Sequence, residues 1–163
     1  MDTDQLLATK PNDYAGSFAG AAGKPLLDMS IVLVCWNNKR YLSACLQSLY
    51  TEQIHTHFDV VVVDNGSADE SQRMLREQFP QVQLIQNDHN VGLGKASNQG
   101  IAATTGRYIL LLNNDTLVNG PSLEALVAFL DATPTAGAAG GRLLNPDGSF
   151  QAGTNQFPSL HEE

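Results

Sequence analysis

Short apolar runs alternate along this chain with polar turns and with stretches in which apolar side chains recur every three or four positions. Ser30-Ile31-Val32-Leu33-Val34-Cys35-Trp36 is the first such run, and Asn37-Asn38 ends it. From Arg40 onward Tyr41, Leu42, Cys45, Leu46 and Leu49 fall at helical spacing, which predicts a helix capped by Asn37 or Asn38. The same phrase recurs three times. Phe58 to Val63 runs into Asp64-Asn65-Gly66-Ser67, and a helix through Met74, Leu75 and Phe79 follows, with Ser67 as its cap, Asp69 and Glu70 charging its first turn and Pro80 closing it. Val82 to Ile85 runs into Gln86-Asn87-Asp88-His89-Asn90 and then a helix from about Lys95 to Thr104. Ile109 to Leu112 ends on Asn113-Asn114-Asp115, and Pro121 opens a helix carrying Leu123, Leu126, Val127 and Leu130.

Strands and helices in strict alternation predict an α/β fold, with a parallel sheet covered by helices on both faces. The run Tyr108 to Leu112 is continuously apolar and reads as a strand buried on both faces. In open sheets of this kind ligands collect outside the carboxyl ends of the strands, so polar residues there are the first candidates for function. After Pro134 the pattern shifts to a small-residue strand over Ala136 to Leu144, a turn at Asn145-Pro146-Asp147-Gly148, and a hairpin returning through Phe150 and Gln151. Residues 1–28 show no sustained period and predict a mobile extension, partly helical around Leu6 and Leu7, ahead of a single domain over 29–163. From Gly153 to Ser159 no period returns.

Charge narrows the classes of partner. Seventeen acidic against nine basic residues give a net charge of −8, which argues against nucleic acid, since neutralising phosphates takes clustered Lys and Arg. An anionic ligand would have to be held by local cations, backbone N–H groups or a metal ion. Cys35 and Cys45 are the only cysteines, too few for a disulfide framework or a zinc pattern, and His55-x-His57 has no third ligand at metal spacing. No apolar run is long enough to span a bilayer and no leader opens the chain, which predicts a cytoplasmic protein with at most peripheral membrane association.

Three polar loops emerge at one edge of the predicted sheet: Trp36-Asn37-Asn38, Asp64-Asn65-Gly66-Ser67 and Asn113-Asn114-Asp115. An aromatic face with amides and a carboxylate suits a pyrimidine base, and a lone carboxylate such as Asp115 suits a divalent cation bridging a diphosphate. Gly92-Leu93-Gly94-Lys95 superficially resembles a dinucleotide or Walker loop. It follows the third strand, lacks the third glycine and has no Ser or Thr directly after the lysine. Lys95 remains a candidate cation for a phosphate at a helix N-terminus, with a solvated surface lysine as the competing reading.

Taken in order, Val32 to Asn37, Leu46 to Leu49, Val61 to Asp69, Asn87 to Gly92, Asn98-Gln99-Gly100, Leu110 to Thr116 and Gly141 to Gly148 resemble the ordered signatures of family 2 glycosyltransferases, in particular the rhamnosyltransferase-like branch. The resemblance implies a GT-A fold, a nucleotide-diphosphate-sugar donor (a UDP- or dTDP-sugar), a glycan or lipid-linked acceptor, and Mg2+ or Mn2+ at an Asp-x-Asp motif. Here that motif reads Asn113-Asn114-Asp115, so Asp115 is the implied metal ligand. Cys35, Trp36, Asn37, Asp64, Asn65, Asn90, Gly92, Lys95, Asn113 and Asn114 are the implied donor-binding residues. Trp36 stands where the family usually has Tyr, and Asn65 where it commonly has Asp.

Members of the family invert at the sugar carbon and need a carboxylate base, which comes from a segment well past the Asn-Pro-Asp-Gly turn. Only Glu162 and Glu163 follow Asp147 here. The chain therefore reads as the donor-binding portion of a glycosyltransferase, inactive alone and open to self-association. The alternative is a non-catalytic module that binds a nucleotide or a partner chain.

Overall fold

A computed structural model describes residues 27–51 and 54–151. Four strands, β1 (Met29–Cys35), β2 (Phe58–Asp64), β3 (Gln83–Gln86) and β4 (Tyr108–Asn113), alternate with four helices, α1 (Lys39–Thr51), α2 (Ser71–Gln78), α3 (Leu93–Ala102) and α4 (Gly120–Ala132). The strands form one all-parallel sheet in the order β3-β2-β1-β4. The predicted α/β architecture is the observed one, and no helix among the described residues is long and apolar enough to cross a membrane. The N-terminal extension up to residue 26, the segment from Gly153 and Glu162-Glu163 lie outside the described residues.

The sheet is covered unequally. On one face Ile31, Leu33, Val60 and Val62 meet Leu42, Cys45, Leu46 and Leu49 of α1, Met74 and Leu75 of α2 and Leu123 of α4, all buried. Burying each Leu or Val fully is worth about 1.5–3 kcal/mol, so this cluster holds most of the fold together. Among the described residues the other face carries α3 alone, packed on β1 and β2. Gly100 permits that approach: a Cβ there would run into Val32 Cγ1 and lie 3.2 Å from Val63 Cγ2.

Because α3 rests on β1 and β2, its cover does not extend over β4. Ile109 and Leu111 are 45% and 56% exposed, whereas Leu110 and Leu112 pack against the three-helix side. This corrects the expectation of a strand buried on both faces: β4 is an edge strand with one covered face. The small-residue strand over Ala136 to Leu144 does not form either. Ala and Gly have little to pack on a pleated surface, and this stretch pairs with no strand. The hairpin beyond it reduces to a single antiparallel bridge, Leu144 to Phe150, closed by Asn145 N donating to Ser149 O at 2.9 Å.

Helix α2 starts at Ser71, later than a cap at Ser67 would place it. Its N-cap is Glu70, with φ 65° and no side-chain capping bond. Asn119 caps α4, accepting from Ser122 N at 3.0 Å, with Pro121 in the first turn as the sequence implies.

Candidate functional site

Strands β1, β2 and β3 run outward in one direction from β1, and β4 lies on its other side, so the strand order reverses between β1 and β4. Parallel sheets open a crevice at such a point, outside the carboxyl ends of the strands. A cavity of about 310 Å³ occupies it, lined by Val32 and Val34 of β1, Leu111 and Asn113 of β4, Leu93 and Ser97 of α3, and Asn114 and Asp115. A larger groove of about 580 Å³ lies along Lys39, Arg40, Tyr41, Met74 and Gln78, on the outer side of α1 and α2. We place the site at the smaller cavity, where strand ends, a helix N-terminus and a carboxylate converge.

The loop after β4 is anchored through Asn114. Its Nδ2 donates to Val34 O at 2.7 Å, and its Oδ1 accepts from Asn38 Nδ2 at 2.8 Å. Asn114 therefore joins the ends of β1 and β4, spending one donor and one acceptor of its amide. Asn113 and Asp115 on either side of it are exposed, and among the described residues no hydrogen bond or ion pair engages either side chain. A rigid middle residue thus presents two unspent neighbours.

The first turn of α3 closes the cavity opposite. Its N-cap, Gly92, has φ 86° and no side-chain capping bond, so the N–H groups of the first turn have no intrahelical partner and the helix dipole is uncompensated. Lys95 stands exposed on this turn. Anions bind at ends of this kind.

Amides hold this turn in place. Asn65, buried at the end of β2, donates from Nδ2 to Asn90 Oδ1 at 3.2 Å and accepts at Oδ1 from Asn87 Nδ2 at 3.0 Å. Asn87 and Gln99 exchange two further bonds, at 2.8 and 3.0 Å, and Asn90 Oδ1 also accepts from Gly92 N at 2.9 Å. Asn65 is thus the hub of the β3–α3 loop. Asn87 and Gln99 were not singled out as site residues from the sequence; the signal was the density of amides on both sides of Gly92.

Asp64 is fully buried and builds the turn after β2. Its Oδ1 accepts from Gly66 N, Ser67 N and Gln72 Nε2 at 3.1, 2.9 and 2.7 Å, while Oδ2 is buried with no partner. Gly66 is required there, because its φ is 77° and a Cβ would lie 2.7 Å from the His89 backbone. Trp36 is 56% exposed at the end of β1, and the adjacent Asn37 Oδ1 accepts from Ala68 N at 2.7 Å. Cys35 is enclosed, its Sγ 3.7 Å from Ser71 Oγ, and it contributes its carbonyl, which accepts from Asn65 N at 2.7 Å.

Burial pushes the Cys35 thiol up, and burial followed by the Asp115 charge pushes Cys45 to about 12. Among the described residues no three His, Cys, Asp or Glu side chains cluster as a metal cage, and His55 and His57 lie apart from the cavity, tied to Glu124 and Asp28 through their backbone N–H groups. A metal at this edge would take one protein carboxylate, Asp115, and draw its remaining ligands from a bound diphosphate and water. That donor set fits Mg2+ or Mn2+.

Comparison with known proteins agrees with this fold. Residues 30–162 match the sequence family described as Glycosyl transferase family 2. The N-acetylglucosaminyl-diphospho-decaprenol L-rhamnosyltransferase of Mycobacterium tuberculosis is 30% identical over 133 residues, which cover 75% of this chain and 42% of that protein. The crystal structure of Staphylococcus aureus TarS 1–349 in complex with UDP superposes with a TM-score of 0.60 at 26% identity, over 66% of this chain and 33% of that one. A mannosyltransferase from Pyrobaculum calidifontis, in complex with GDP-Man and Mn2+, shares the fold with a TM-score of 0.57 at 21% identity. The chain spans less than half the length of these proteins.

Proposed function

The chain belongs to glycosyl transferase family 2, and we propose that residues 29–163 form its donor-binding portion, which holds a UDP- or dTDP-sugar and a divalent cation at the carboxyl edge of the sheet. The observation that carries this reading is the cavity at the strand-order reversal, with the Asp115 carboxylate on one rim and the first turn of α3 on the other. A diphosphate is the ligand that satisfies both: its oxygens suit the N–H groups of the helix end, and a cation shared with Asp115 offsets its remaining charge.

Each residue then has a task. Asp115 would hold Mg2+ or Mn2+, which when bound supplies charge stabilisation for the departing nucleoside diphosphate. Lys95 and the N–H groups of the first turn of α3 face the phosphates. Trp36 gives an aromatic surface for the base, Asp64 keeps an acceptor in Oδ2, and Asn65 with Asn90 fixes the loop between base and diphosphate. Asn113 and Asn37 border the sugar and ribose. The acceptor is a glycan or a lipid-linked glycan, and inversion needs a base that the described residues do not supply to this cavity.

Calorimetry with UDP and with dTDP, each with and without Mn2+, tests the reading. Binding strengthened by Mn2+ is expected. A folded sample that binds neither nucleotide under either condition overturns it. Binding with no transfer or hydrolysis of the sugar donor is the expected behaviour of this chain alone, and turnover would place the base within it.

A further inference from the structure

Four consecutive residues of the β2–α2 loop are stitched to the start of α1. Asn37 N donates to Ser67 Oγ at 2.9 Å, Ala68 N to Asn37 Oδ1 at 2.7 Å and Lys39 N to Asp69 Oδ2 at 2.7 Å, while Lys39 Nζ pairs with Glu70 Oε2 at 3.4 Å. Helices are ordinarily capped by the residue just before them. Asn38 occupies that position, since its carbonyl accepts from Leu42 N at 3.0 Å, yet its amide turns away to Asn114. The side-chain cap of α1 comes instead from Asp69, 30 residues away.

The same carboxylate serves α2. Asp69 Oδ1 accepts from Ser71 N at 3.1 Å and from Ser71 Oγ, so its two oxygens cap two helices at once. Asn37 and Glu70, with φ of 52° and 65°, are the only non-glycine residues at positive φ among those described, and they flank this stitch on its two strands of chain. Such conformations are unfavourable for side chains with a Cβ and persist only where their surroundings impose them. Trp36 directly precedes one of them.

We propose that Asp69 is a positioning residue for donor binding: by capping α1 from the β2–α2 loop it holds Asn37 in its left-handed turn and fixes where the Trp36 ring stands at the carboxyl edge. The inference rests on the reading of that edge as a donor site. Two acceptor oxygens are needed for the two helices, so Asn, with one, does half the task. Partial burial alone would raise the Asp69 carboxyl, but the bonds from Ser71 Oγ and from the Lys39 and Ser71 N–H groups outweigh it and hold it below its ordinary 3.8.

Trp36 is the chain's only tryptophan, so its emission reports this loop alone. Acrylamide quenching and fluorescence anisotropy of the free protein, alongside UDP and dTDP calorimetry with Mn2+, compare wild type with Asp69→Ala, Asp69→Asn and an off-site control, Glu77→Ala. Asp69→Ala should raise quenching, lower anisotropy and weaken nucleotide binding about fivefold to tenfold, the size of one lost cap. Asp69→Asn should fall between it and wild type and carries the test should the alanine variant not fold, and Glu77→Ala should match wild type. A lowered Tm with unchanged Trp36 emission overturns the inference, as does a loosened Trp36 with unchanged affinity. Wild type that binds no nucleotide overturns the functional reading as well, whereas tight wild-type binding indifferent to Asp69→Ala overturns this inference alone.

Discussion

The two ends of the sheet are built from different chemistry. At the amino end Arg107 donates to Asp28 at 3.1 Å and to both oxygens of Asp131 at 2.9 and 3.2 Å, and the Tyr108 hydroxyl donates to Asp131 at 2.7 Å. Asp28 also accepts from His57 N at 3.1 Å. Each charge in this group faces an opposite charge or a donor, and together they join the starts of β1 and β4 to the end of α4. At the carboxyl end amides bind amides, through Asn38, Asn114, Asn65, Asn90, Asn87 and Gln99, beside a β2–α2 loop built on Asp64 and Asp69, and among the described residues the side chains of Asp115 and Lys95 at the cavity are engaged by no hydrogen bond or ion pair. A closed charge network has nothing further to bind. An edge that leaves charges unspent does, which separates the end that fixes the fold from the end proposed to meet a ligand.

The sharpest test of that contrast is Asp115→Ala. It should lower Mn2+-dependent UDP affinity by at least about 100-fold, since it removes the one protein ligand, while Tm stays close to wild type because the side chain is exposed and unpaired. Unchanged affinity in calorimetry would break the assignment of Asp115. Next comes Asn65→Ala, which removes one bond each from Asn87 Nδ2 and Asn90 Oδ1 in a partly buried loop and leaves them only Gln99 and Gly92. Urea unfolding should show a loss of about 1–3 kcal/mol, with nucleotide affinity falling as well, so that a purely structural effect would show that the scaffold does not reach the ligand.

Arg107→Ala should act on the other side of the comparison, lowering Tm by about 2 °C, as expected for exposed pairs, and leaving nucleotide affinity untouched. Any loss of UDP binding would mean that the two ends are coupled. The smallest effect is on acid stability. The His57 N–H and then Arg107 hold the Asp28 carboxyl below its ordinary 3.8, and Arg107 followed by the Tyr108 hydroxyl does the same to Asp131. Depressed carboxyls stabilise the fold fully above the unfolded value and lose that contribution as pH falls through their folded values. The stability difference between wild type and Arg107→Ala should therefore hold at neutral pH and shrink below about pH 3.8.

The alternation of elements was readable because strand and helix periods differ and because Asn and Pro mark the ends, as at Asn113 and Pro121. The polar edge proposed for the site was readable for the same reason: polar residues stopping apolar runs have to lie at strand ends. Less legible was which polar residues are used up by the protein itself. Asn114 and Asn65 look like donor contacts in the sequence, yet their amides are bound to other loops, a fact of tertiary geometry that no spacing encodes. Asp69 was half legible: its bond to Ser71 N at the start of α2 is the local role its position implied, whereas its second partner, Lys39, is near only after folding. The burial of β4 was misread because an apolar run reports that a strand can be covered, and says nothing about where the covering helix comes to rest.

Strand β4 has a consequence for how the protein behaves as a colloid. Its sequence, Tyr-Ile-Leu-Leu-Leu-Asn, carries no lysine, proline or bulge of the kind that deters strands from adding to an open edge, and among the described residues nothing pairs with its outer side. Mutual repulsion between molecules of net charge −8 opposes stacking. Salt screens that repulsion over about 10 Å at 0.1 M and about 3 Å at 1 M, and approaching the isoelectric point near 4.8 removes it. Dilute, low-salt, neutral solutions are where this chain should remain dispersed.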